Sequence, residues 1–190
     1  DPVSGKGMLF GNFHHGDNRF SLENFIRGTL RNDEHGLFNT SAHSLNYIES
    51  HDGYTFGDFI RIALNTAKRD QTFSDKLELT PLNKKEMAIA KLGALSLFVS
   101  QGLLMLHAGQ EWARSKMIID PNGLDTNAGK LDRDSYNKDN ETNWLNFNEI
   151  EQNKDLFNYY RGLIKLRKSS PALRKAKQAG TLSHLGLSAS

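Results

Sequence analysis

Ser44-Leu-Asn-Tyr-Ile-Glu-Ser-His-Asp-Gly-Tyr-Thr-Phe-Gly-Asp-Phe-Ile-Arg61 is the stretch whose reading decides the fold. Its first part, residues 44–50, alternates. Leu45 and Tyr47 fall on one side and Asn46 and Ile48 on the other, which predicts a short strand. The period then changes. Thr55 with Asp58 three residues on resembles a capping box, and Phe56, Phe59, Ile60, Ala63 and Leu64 mark one face of a helix. Between strand and helix stands Glu49-Ser50-His51-Asp52-Gly53.

Toward the C-terminus, residues 67–79 are polar and read as loop. Thr80-Pro81 predicts a helix start with Pro at the first position. That helix runs through Met87, Ile89, Leu92, Leu95 and Phe98 to about Ser100, with apolar residues around much of its second half, so that half is expected to be buried. Gly102 suits a C-terminal cap, Leu103 to His107 a second short strand, and Gly109 its end. Residues 113–143 are polar and too long for a connector, which predicts a functional or disordered loop. Leu156, Phe157, Tyr160, Leu163, Ile164 and Arg167 mark a final helix, stopped at Ser169-Ser170-Pro171.

Toward the N-terminus, residues 1–20 read as loop, and Ser21 caps a helix expected over 22–31. Strands alternating with helices give an α/β fold with parallel strands. Short strands, helical cover and polar residues at both strand C-termini are what a (β/α)8 barrel presents. The expected organisation is one unit over 1–177, then a tail over 178–190 that is disordered or opens a β-domain.

Composition narrows the function. Among 190 residues, 24 are basic and 22 acidic, with the signs mixed along the chain, so no nucleic-acid partner is expected. Without cysteine there is no disulfide framework and no thiolate zinc site. The longest apolar stretch, Leu92 to Leu106, is broken by Gly93, Ser96, Ser100, Gln101 and Gly102 and falls short of the ~20 residues of a membrane span. Asp1-Pro2-Val3 carries no initiating Met and no signal pattern, as expected of a cut inside a longer protein, so cytoplasmic and secreted locations both stay open. His14, His15 and Asp17 lack a converging partner set, so no metal is expected. No Gly-x-x-x-x-Gly-Lys-Ser/Thr phosphate loop occurs, and no cofactor is expected.

Two segments carry chemistry. In a βα barrel the C-terminal strand ends form the active face, and there Asp52 can offer a carboxylate and His51 a hydrogen bond to sugar hydroxyls. The same residues also suit a plain strand–turn junction. His107-Ala108-Gly109-Gln110-Glu111 has the same two readings, with Glu111 paired to Arg114 at the surface in the plainer one.

Three segments then resemble one family. Residues 44–61 resemble the α-amylase-superfamily motif around the seventh barrel strand, which carries a His-Asp pair. Residues 92–111 resemble that family's seventh helix, eighth strand and following Gly-x-Glu turn. Asp134-Ser-Tyr-Asn-Lys-Asp-Asn-Glu-Thr-Asn-Trp144 is similar to the loop after that strand in pullulanases, isoamylases and glycogen-debranching enzymes. The resemblance runs from about Gly7 to about Arg174 and implies the C-terminal portion of the barrel, about strands 7–8 and helices 6–8. It implies that Asp52 is the third family carboxylate, stabilising an oxocarbenium-like state, and that His51 binds the same sugar. It further implies that Asp134, Tyr136 and Asn137 lie on a substrate-facing loop and that Glu111 supports the eighth strand's end. Tyr54 suits sugar stacking and helix-start packing equally.

Gly53 departs from the family's more common Asn. A larger departure is the pair of carboxylates, about 5 Å apart, that a retaining glycosidase uses as nucleophile and acid/base. Neither the nucleophile motif (Arg two residues before Asp, at a strand end) nor the acid's Glu segment is read in these residues, and Arg133 directly precedes Asp134 in another element. The chain is thus expected to be an inactive part of an α-glucan hydrolase. Alternatives are a non-catalytic α-glucan-binding module and a barrel completed by another chain. A quarter barrel exposes strand edges and apolar faces, so self-association is expected.

Overall fold

The computed structural model describes residues 2–3, 7–10, 26–31 and 36–175. Strands β1 (Leu45–Asn46) and β2 (Leu103–Leu104) pair in parallel, with Leu45 opposite Leu103 and Asn46 opposite Leu104. The helices are α1 (Phe56–Ala63), α2 (Lys84–Val99) and α3 (Lys154–Ser169). The order β1, α1, α2, β2 makes a parallel crossover, as the change of period at residue 55 leads one to expect. The chain forms two compact units: residues 7–47, 93–105 and 161–190 in one, and 1–6, 48–92 and 106–160 in the other.

The first unit holds the strand pair. Arg167 donates 2.8 Å hydrogen bonds to the carbonyls of Phe98, Ser100 and Gly102, closing the end of α2 where carbonyls lack helical partners. Asn46 Nδ2 donates to the Gln101 carbonyl at 2.8 Å and so ties β1 to the turn before β2. Ala94, Leu97, Phe98 and Leu163 are buried here. Leu45 and Leu103, side by side across the ladder, are 54% and 60% exposed.

The second unit is built on α1. Thr55 Oγ1 accepts from the Asp58 amide at 3.0 Å, as the Thr-x-x-Asp spacing predicts. The Asp58 side chain does not return the bond. Its carboxylate instead takes Arg61 Nη1 at 3.2 Å and the Lys116 amide at 2.8 Å. Ile62, Ala67, Leu79, Met117 and Leu131 form a core cluster.

Several expectations are corrected. In the helix expected over 22–31, residues 22–25 lie outside the described residues, and Ile26 is helical. From Arg27 the chain turns, because Gly28 (φ +93°) and Thr29 (φ +54°) are left-handed. A Cβ on Gly28 would lie 2.8 Å from Ser41 Cβ, so the chain passes too close there for another residue. Both strands are two residues long, shorter than expected.

Pro81 is not the first helical residue. Asn83 caps α2, its Oδ1 accepting from the Lys85 and Glu86 amides at 2.9 and 3.0 Å, while Glu86 accepts from the Asn83 amide at 2.7 Å. That reciprocal pair outcompetes a Pro start because it satisfies three otherwise unpaired amides. The second half of α2 is buried on one side only. Leu92 and Leu95 are 44% and 37% exposed.

Residues 113–143 are neither helix nor strand, yet they are packed. Met117 and Leu131 form a bridge, and Asn143 binds Ser135 Oγ, Ser135 O and Lys138 O at 2.6–2.8 Å. The tail expected over 178–190 lies outside the described residues.

Candidate functional site

Apart from His14, His15 and Asp17, which lie outside the described residues, the residues singled out from the sequence fall in the unit built on α1. The segment after β1 leads into α1, and its best-anchored residue is Glu49. Glu49 is buried; its Oε2 accepts from the Phe56 amide at 2.9 Å and its Oε1 meets His107 Nδ1 at 2.7 Å. One carboxylate thereby caps α1 and holds the segment that follows β2. Glu49 was not singled out from the sequence. The available signal was a carboxylate seven residues before a helix start, with a His at the end of the other strand.

His51 and Asp52 sit above this. Their side chains are 74% and 78% exposed, with His51 Nε2 3.4 Å from Asp52 Oδ1. That is a loose surface pair of small energetic weight. Gly53 follows at φ +72° with open space where a Cβ would stand. Beneath them Lys116 is 1% exposed, and its Nζ donates to the His51 carbonyl at 2.9 Å. Burial holds the Lys116 ammonium below the usual lysine range.

Tyr54 is half-buried against the cluster of Ile62, Ala67, Leu79, Met117 and Leu131, with the Arg69 guanidinium 6.0 Å from its ring centre. Glu111 is half-buried, and its Oε2 accepts from the Gly109 amide at 3.0 Å. Its role is local, fixing the turn after β2. Gly109 is left-handed (φ +99°), and a Cβ there would lie 2.1 Å from Arg114 Cδ.

Arg114 is not the surface partner of Glu111 envisaged in the plainer reading. It is buried and donates to the Asn143 carbonyl at 3.1 Å, and burial lowers its pKa. Asp134, Tyr136 and Asn137 are exposed. Their loop is held from below, where Lys138 Nζ meets Asp132 and Asp125 at 2.9 and 3.4 Å.

No group of three or more metal-ligating side chains converges among the described residues. Chemically, the turn offers an accessible carboxylate and an accessible imidazole on a rigid floor, a pair able to bind hydroxyls. Arg31-Asn32-Asp33 also places an Arg two residues before an Asp, but it ends no strand among the described residues, and Asn32 and Asp33 lie outside them.

The fold and turn define a class: an α/β chain of the kind found in pullulanase structures. A mutant pullulanase from Paenibacillus barengoltzii, solved with maltotriose, matches with a TM-score of 0.65 and 25% identity, over 85% of this chain and 21% of that one. The pullulanase of Bacillus subtilis is 28% identical over 144 residues, 76% of this chain and 16% of that protein. The isoamylase of a Flavobacterium species is 29% identical over 177 residues, 84% of this chain and 21% of that protein. A glycogen-debranching enzyme of Dickeya chrysanthemi is matched as well. No protein-family model matches. The chain is a relative of these α-amylase-superfamily glycosidases and spans about a fifth of their length.

Proposed function

We propose that these residues form the C-terminal part of a (β/α)8 glycosidase barrel, about strands 7–8 and helices 6–8, in a retaining hydrolase of starch, glycogen or pullulan. Residues 1–177 belong to the barrel in this reading, and 178–190 form a tail beyond it. The observation that carries it is the open His51-Asp52 turn on its buried Glu49–His107 floor. Asp52 binds sugar hydroxyls at the cleavage point and favours the positively charged ring of the transition state, and His51 binds the same sugar. Asp134, Tyr136 and Asn137 contribute contacts from their exposed loop, and Tyr54 stacks on a sugar ring.

Alone, the 190 residues do not turn over. Hydrogen bonds from Asp52 cannot replace a nucleophile and a proton donor. The expected outcome with purified chain is no hydrolysis of pullulan or maltodextrin, together with maltotriose binding that disappears in His51→Ala and Asp52→Ala. Robust turnover refutes the inactivity, and unchanged binding in both variants refutes the site.

The same reading predicts self-association. The two-strand ladder pairs no third strand among the described residues, and exposed Leu45 and Leu103 lie together on it. Sedimentation of a Leu45→Lys/Leu103→Lys variant should show a shift toward monomer; a wild-type chain that is monomeric at all concentrations contradicts this.

A further inference from the structure

Lysine is almost never fully buried unless its charge is matched. Lys116 is buried, and among the described residues the hydrogen bond of its ammonium goes to a neutral acceptor, the His51 carbonyl at 2.9 Å. Its own backbone is fixed, because the Lys116 amide donates to Asp58 Oδ2 at 2.8 Å. Asp58 is fully buried, and its amide is bound by Thr55 Oγ1 at 3.0 Å. The lysine is therefore a strut. Its root is fastened to the first turn of α1, and its tip reaches the turn that bears the candidate sugar ligands.

That turn has little else to hold it. Among the described residues, the hydrogen bond to the backbone of His51-Asp52-Gly53 is the one from Lys116. Both side chains stand largely in solvent, and a Cβ on Gly53 would meet open space. The carboxylates of Glu49, Asp132 and Asp58 lie near enough to favour the ammonium, and Arg114 opposes it. Burying a cation is costly before compensation, whereas an exposed turn that only joins strand to helix needs no such anchor.

We propose that Lys116 is a positioning residue: by holding the His51 carbonyl it orders the His51-Asp52-Gly53 turn and so preorganises the surface that receives an α-glucan. The inference rests on the reading of His51 and Asp52 given above. A turn that the ligand itself must order costs affinity, about tenfold for one or two flexible side chains.

The chain contains no cysteine, so a single one can be placed at this position and modified cleanly. Lys116→Met keeps the length and loses the charge. K116C, alkylated in denaturant with bromoethylamine and refolded, restores an ammonium at nearly the lysine position. The readouts are amide relaxation of His51, Asp52 and Gly53 in the sugar-free chain, and the dissociation constant for maltotriose.

K116M and unmodified K116C should fold cooperatively, show a mobile turn and bind maltotriose about tenfold more weakly. Alkylated K116C should recover both properties. A turn as ordered in K116M as in the wild type overturns the proposal, and so does failure of the restored ammonium to reorder it. If wild-type chain binds no maltotriose, the glucan reading of the site falls, and the relaxation comparison still decides whether Lys116 orders the turn.

Discussion

Glu49 and Asp52 stand three residues apart in one segment and have opposite surroundings. The Glu49 side chain is fully buried, with both oxygens engaged, one by the Phe56 amide and one by His107. The Asp52 side chain is 78% exposed, with His51 Nε2 loosely placed 3.4 Å from its Oδ1. A carboxylate that is desolvated must have partners, and one without partners must stay in water. The buried acid ties the segment after β1 to the start of α1 and to His107, and the exposed one is accessible from solvent.

The contrast can be broken from the buried side first. Asp58→Ala should have the largest effect, because it strands the buried Arg61 guanidinium and the Lys116 amide together. A loss of about 3–5 kcal/mol is expected, read as a drop in the denaturant midpoint. Glu49→Ala leaves the Phe56 amide and a His107 ring nitrogen without their acceptor and should cost about 2 kcal/mol in the same measurement. Asp52→Ala should change stability by less than about 0.5 kcal/mol while abolishing maltotriose binding. If Asp52→Ala destabilises as much as Glu49→Ala, the two carboxylates are alike and the contrast is lost.

Local chemistry made much of this legible. The change from period 2 to period 3.6 at residue 55 locates β1 and α1, and the Thr55-x-x-Asp58 spacing gives the cap, because each depends on neighbours in sequence. The His51-Asp52 turn is found the same way. The floor beneath it was not legible. Glu49 and His107 are 58 residues apart, as are Asp58 and Lys116, and no local pattern announces a hydrogen bond across such a gap.

The error at Pro81 has a simple cause. A Pro before an apolar run suits a helix start, but Asn83 and Glu86 lie two and five residues further on and satisfy more amides. The packed state of residues 113–143 was hidden by their polarity. That segment is held by side-chain to backbone hydrogen bonds, such as those of Asn143, and by few apolar contacts. The family resemblance supplied what spacing left open, namely the proposal that the turn faces sugar.

The most direct test follows amide chemical shifts of the 190-residue chain during titration with maltotriose. The account predicts shifts concentrated at His51, Asp52, Gly53 and Tyr54, with smaller ones at Asp134, Tyr136 and Asn137, all absent in Asp52→Ala. Shifts confined to other surfaces, or a response that persists unchanged in Asp52→Ala, would contradict it.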